Sequence, residues 1–157
     1  MALVTPGTYS LAALMSELTN DPKGLGYSSQ SGNADSIAVL MNTSPEPIAS
    51  GSQEQIYRNR VASSDLLAGI VLSEFAALTQ ANRDYCVMLF SAANVNTGDA
   101  NLRTQIAGIF GGATTSRANL IAAAQKNASR SEALWGDGFR VTAQQVSLAL
   151  HPEEQGA

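Results

Sequence analysis

The 157-residue sequence predicts a mainly α fold, a compact bundle of about eight short helices with a minor two-stranded β ribbon. Three observations carry that expectation. Apolar side chains recur at helical spacing in most segments. Ser, Thr, Asn or Asp stands before those segments, and Gly or Pro after several of them. Only the stretches around Val61 and Val141 have an extended character.

Leu11, Leu14, Met15 and Leu18 form the first apolar face, with Ser10 or Thr8 as the cap and Asp21-Pro22 as the stop. Ile37, Leu40 and Met41 make one face of a second helix over 33–42. Pro45, Pro47 and Gly51 mark 43–51 as a loop. Ile56, Tyr57 and Val61 suit a short strand over 55–61. Ser63 or Ser64 then caps a helix bearing Leu66, Leu67 and Ile70, and 73–78 presents Phe75 and Leu78. Thr79 caps a stronger helix with Tyr85, Met88, Leu89 and Ala92. The polar stretch 94–98 is a turn, and Asp99 or Asn101 opens a helix that Gly111-Gly112 closes.

In the last third, Thr115 is expected to cap a helix with Leu120, Ile121 and Ala124. Ser129-Arg130-Ser131-Glu132 has capping-box form. Gly136-Asp137-Gly138 is a turn, Phe139-Arg140-Val141 a short strand, and Thr142 the cap of a final helix with Val146, Ala149 and Leu150. Arg60-Val61 and Arg140-Val141 each lead through a hydroxyl residue into a helix. Their pairing as the ribbon would supply the backbone partner that a lone strand lacks. The expected organisation is an N-terminal arm over 1–9, one helical domain over 10–150 and a flexible tail over 151–157.

Composition narrows the function classes. Charged residues are 14% of the chain, below the roughly 25% of ordinary globular domains. Such a surface is covered either by neighbouring molecules or by Ser, Thr, Asn and Gln. The net charge is -4 and the basic residues are scattered, against binding of nucleic acid by a basic face. No stretch has the length and apolarity of a membrane span, and 1–7 does not resemble a signal peptide. Synthesis as a soluble cytoplasmic product is the expectation.

Catalytic vocabulary is thin. The single histidine, His151, lies in the tail beside Pro152, and the single cysteine, Cys86, lies in an apolar helical run. No catalytic residue, cofactor or metal ligand is assigned on these grounds. Glu17, Glu74 and Glu132 are the helix-borne acids that a hydrolase would have to use. Gly111-Gly112-Ala113-Thr114-Thr115 precedes a helix whose free amides could hold an anion, but the phosphate-binding lysine of a P-loop does not follow. Arg117 and Arg130 stand in first turns of helices, where the helix dipole disfavours a cation, so each calls for a specific partner. An ion pair within the chain and a contact between subunits are the two alternatives. Leu3, Val4 and Tyr9 of the arm, with Arg58, Arg60, Arg117 and Arg130, are the candidate interface residues.

The stretch Asp21-Pro22-Lys23-Gly24-Leu25-Gly26-Tyr27 stops the first helix and turns a tyrosine back to cover it. Taken in order with Ser73-Glu74-Phe75-Ala76-Ala77-Leu78-Thr79, Thr114-Thr115-Ser116-Arg117-Ala118-Asn119-Leu120, Ser129-Arg130-Ser131-Glu132-Ala133-Leu134 and Arg140-Val141-Thr142, it resembles a group of small tailed-bacteriophage proteins without assigned activity. The resemblance spans about 8–150. It implies a non-enzymatic virion structural protein, in the tail or head–tail connector, contacting other phage structural proteins as a symmetric homo-oligomer or multi-copy assembly. It implies no catalytic residue. A capsid-decorating protein, a small lysis-associated hydrolase and a DNA-binding regulator are the alternatives.

Overall fold

The computed structural model describes residues 2–43 and 53–153. Most of the expected loop over 43–51, and the tail beyond 153, lie outside the described residues. The elements run β1 (Ala2–Leu3), α1 (Leu11–Asn20), a 3-10 turn (Tyr27–Gln30), α2 (Ala34–Asn42), β2 (Glu54–Tyr57), β3 (Val61–Ala62), α3 (Ser63–Ala68), α4 (Leu72–Ala76), α5 (Gln80–Phe90), β4 (Asn94–Val95), α6 (Ala100–Ile109), α7 (Thr114–Ala124), β5 (Gln125–Asn127), α8 (Arg130–Trp135) and α9 (Ala143–Leu150). The fold is mainly helical, with nine α-helices among the described residues and a small amount of sheet. The chain divides into two compact units, Met1–Ile56 with Asn127–Ala157, and Tyr57–Lys126.

In the first unit, α9 packs against α1 and α2. Leu14, Tyr27, Ile37, Met41, Val141 and Val146 form its buried centre. Ser10 caps α1 by accepting from the Ala13 amide, and Asn33 caps α2 by accepting from Ser36. Ser129 with Glu132, and Thr142 with Gln145, close two capping boxes. The arm is not free: β1 runs parallel to β2, Ala2 opposite Glu54 and Leu3 opposite Gln55. The Gly7 amide donates to the Leu134 carbonyl at 2.7 Å.

A two-stranded ribbon forms, but not between the two expected stretches. Val61 pairs antiparallel with Val95, and Ala62 with Asn94, inside the second unit. Phe139–Val141 is not a strand. The physical substitute is Asn42, the last residue of α2. Its side-chain amide donates to the Val141 carbonyl at 2.8 Å, and its carbonyl oxygen accepts from the Val141 amide at 3.0 Å. One side-chain amide therefore satisfies both backbone groups of a buried residue, as a neighbouring strand would. The expected strand over 55–61 is likewise two strands in different sheets, β2 in the order β1-β2-β5 and β3 beside β4. The turn over 94–98 contains β4.

The second unit is centred on Val61, Leu66, Cys86, Phe90, Val95, Phe110 and Leu120. Cys86 is buried, as its apolar neighbours suggest, and burial raises its thiol pKa. Thr79 and Asp99 are the caps of α5 and α6. Two expected caps differ. α3 begins at Ser63 itself, whose hydroxyl donates to the Ala92 carbonyl instead of capping. α7 begins at Thr114 after Ala113, with no cap from a neighbouring side chain, so Thr115 lies inside the helix.

Candidate functional site

Two constellations concentrate the polar chemistry of the described residues, one in each unit. In the first, the stretch after α1 gathers a buried cluster. Asp21 takes the left-handed conformation (φ 40°), and its amide donates to the Glu17 carbonyl, ending the helix. Its two carboxylate oxygens accept from the Leu25 and Gly26 amides, each at 2.7 Å. Gly26 must be glycine here: φ is +83°, and a Cβ would stand 3.2 Å from the Ser29 hydroxyl. The turn thus fixed aims two side chains inward. The Tyr27 hydroxyl donates to Glu17 Oε1 at 3.1 Å, and Lys23 Nζ lies 2.7 Å from Glu54 Oε1.

Arg130 joins the two acids. Its Nε and Nη2 donate to Glu17 Oε1 and Oε2 at 2.7 and 2.8 Å, a bidentate pair, and Nη1 donates to Glu54 Oε2 at 2.9 Å. All three side chains are buried. Two carboxylates meet one guanidinium and one ammonium, so the formal charges cancel. Burial alone would lower the Arg130 pKa. The hydrogen bonds to Glu17 and the charges of Glu17 and Glu54 outweigh it and hold the pKa above the ordinary value. Burial, then the adjacent Glu17 charge, pushes the Tyr27 phenol well above its ordinary range. The cluster is a neutral clasp in which both buried acids are hydrogen-bonded to Arg130.

In the second unit, a cavity of about 340 Å³ opens beside α6 and α7. Leu66, Thr97, Leu120 and Ala124 are its buried floor, while Ala100, Thr104, Arg117 and Ile121 are exposed at its rim. Arg103 is held in place: Nη1 donates to the Thr97 and Gly98 carbonyls at 2.8 and 2.6 Å, and the guanidinium carbon sits 4.1 Å from the Tyr57 ring centroid. The Arg117 guanidinium, on the rim, makes no hydrogen bond or ion pair with the described residues. Among the described residues the lining contains two guanidinium groups and no carboxylate.

The α7 N-terminus already holds an anion. Glu74, from α4, accepts from the Thr115 amide at 3.1 Å and the Ser116 amide at 2.7 Å. The anion expected of the stretch 111–115 is therefore a carboxylate of the same unit. Hydrogen bonds from Ser116, its side chain first, hold the Glu74 pKa below the ordinary 4.5. Glu132 is similarly engaged, accepting from Ser129 and from the Gly138 amide.

The candidate interface residues scatter. Arg130 takes the intrachain alternative, in the clasp. Tyr9 stacks on Phe139 at 5.3 Å and meets Trp135 edge-on at 5.2 Å, within its own unit. Val4 packs against the cluster of Ile56, Ala128 and Ala133, and Leu3 is half exposed on β1. Arg58 is half-buried, donating weakly to the Ala123 carbonyl at 3.4 Å. Arg60 is exposed and Arg117 lies at the cavity rim. His151 is exposed, its Nδ1 3.6 Å from Glu153. Sequence reasoning gave Glu17 and Tyr27 no shared role and missed Lys23, Glu54 and Arg103 as site residues. The arginine in the first turn of α8 was the one signal that could have led to the clasp.

No helix of the described residues is long and apolar enough to cross a membrane. No protein-family model, characterised protein or solved structure matches this chain.

Proposed function

We propose that this chain is a structural component of a tailed-bacteriophage particle, in the tail or head–tail connector, working in multiple copies through protein contacts and not through catalysis. The observation that favours contact over catalysis is the commitment of its helix-borne glutamates. Glu17 is closed in the clasp, Glu74 caps α7, and Glu132 completes a capping box. A glycosidase would need two such acids facing a shared cleft, one of them with a raised pKa. Here Glu74 is shifted the other way. The helix faces supply contact surface instead: Val39, Leu72, Val87 and Met88 are each at least 64% exposed. The phage assignment itself rests on the ordered sequence resemblance.

Quantitative mass spectrometry of purified particles tests this reading. The chain should be present at a fixed, multi-copy stoichiometry, and its absence from particles would remove the proposal. Rings in native mass spectra would favour the connector or tail over a capsid-decorating role.

A further inference from the structure

We infer that the Arg103–Arg117 cavity of one copy receives the outer face of α5 of a second copy, joining the second units head to tail. This rests on the multi-copy reading above and names the contact it requires. The cavity offers an apolar floor, two guanidinium groups and, among the described residues, no acid. Arg103 is fixed by two carbonyls and the Tyr57 ring, whereas the Arg117 guanidinium is left without an intrachain partner among the described residues. A complementary occupant carries a carboxylate next to apolar side chains.

Helix α5 presents that combination. Cys86 and Phe90 face the core, and Asp84, Val87 and Met88 are all exposed. Asp84 stands three and four residues before Val87 and Met88, so one helix face bears an acid beside two large apolar groups. Asp84 accepts from the neutral Gln80 Nε2 at 2.7 Å and makes no ion pair with the described residues. Val87 and Met88 are 66% and 64% exposed, leaving their apolar surface to water in the isolated chain. Burying this pair in the cavity while Asp84 meets Arg117 satisfies the two surfaces together. Cavity and ridge are different patches, so the contact is heterologous and repeats from copy to copy, closing a ring or extending a filament.

Sedimentation velocity of the full chain over a broad concentration series tests the contact. Wild type should self-associate. Arg117→Glu and Asp84→Arg should each weaken association at least about tenfold, and the double variant should restore it. Met88→Ser should weaken it without touching the charges. Arg117, Asp84 and Met88 all have exposed side chains, and an unchanged thermal midpoint identifies a folded variant. In a Cys86→Ser background, Met88→Cys mixed with Ile121→Cys should give a disulfide-linked heterodimer. A wild type that stays monomeric, or an Arg117→Glu protein that associates like wild type, overturns the inference. So does octanoate binding to a chain that never associates, since the cavity would then be a small-ligand site. These outcomes are independent of particle composition: absence from particles removes the virion proposal, while loss of association on Arg117→Glu concerns this contact alone.

Discussion

Replacing Arg130 by methionine removes the group that bridges Glu17 and Glu54. The three hydrogen bonds at 2.7, 2.8 and 2.9 Å disappear together. Glu54 keeps Lys23 at 2.7 Å, but among the described residues Glu17 keeps only the Tyr27 hydroxyl at 3.1 Å. Glu17 is then a buried carboxylate without a counter-charge, the situation that costs about 3–5 kcal/mol when one partner of a buried pair is deleted. Against a total stability of about 5–15 kcal/mol, that is a large share. Urea unfolding followed by fluorescence reads it directly, because Trp135 is the single tryptophan and belongs to the unit that holds the clasp. With a slope of about 2 kcal/mol per molar urea, the midpoint should fall by about 2 M. Adding Glu17→Gln removes the orphaned charge, so the double variant should recover part of the loss, with a coupling energy of about 1–3 kcal/mol. A loss below about 1 kcal/mol for Arg130→Met would refute the reasoning, since that is what an exposed surface pair contributes.

Three other perturbations probe separate parts of the fold. Tyr27 has a folded-state pKa above its unfolded value of 10.0, so its contribution is complete below pH 10 and is lost as pH rises beyond it. Stability should fall by about 1.4 kcal/mol per pH unit above pH 10 through this group, and alkaline denaturation of Tyr27→Phe should lack that share of the slope. Asn42→Asp keeps an acceptor for the Val141 amide but loses the donor to the Val141 carbonyl, which should cost about 2–3 kcal/mol in chemical denaturation. Glu74 is the opposite case to Tyr27: its pKa is depressed in the folded state, so its contribution is present above pH 4.5 and lost as pH falls below it. Glu74→Gln should therefore flatten the acid limb of stability and speed hydrogen exchange at the Thr115 and Ser116 amides, with no change in any cell-wall turnover assay.

Local signals were legible and long-range partners were not. Ser10, Thr79, Asp99, Ser129 and Thr142 cap the helices that their positions announce, because a cap and its amide lie within three residues. The failures share one physical cause. Val61 and Val141 look alike over a few residues, and a two-residue strand has no periodicity to identify its partner. Val95 and Asn42 took those roles from distant positions, Asn42 at a separation of 99 residues. Glu74 reaches α7 across 41 and 42 residues, which left Thr115 as the only visible cap. Arg130 shows the boundary clearly. Its place in a first turn demanded a partner, but nothing local could select Glu17, 113 residues away.

The stretch from Asp21 to Tyr27 has more consequence than a helix stop requires. A stop needs only the left-handed Asp21 and its amide bond to Glu17. Here the Asp21 carboxylate also binds the Leu25 and Gly26 amides, and Gly24 and Gly26 at φ 65° and 83° allow the chain to bend tightly around it. That bend sets Lys23 against Glu54 and returns Tyr27 to Glu17, supplying two of the five members of the clasp. Glu17 lies on the helix being ended, so the same seven residues terminate α1 and neutralise or hydrogen-bond the acids that α1 and β2 bury. Desolvated carboxylates tolerate little displacement of their partners. The constraint on this turn therefore comes from the charges beneath it, and helix capping alone would leave its sequence far freer.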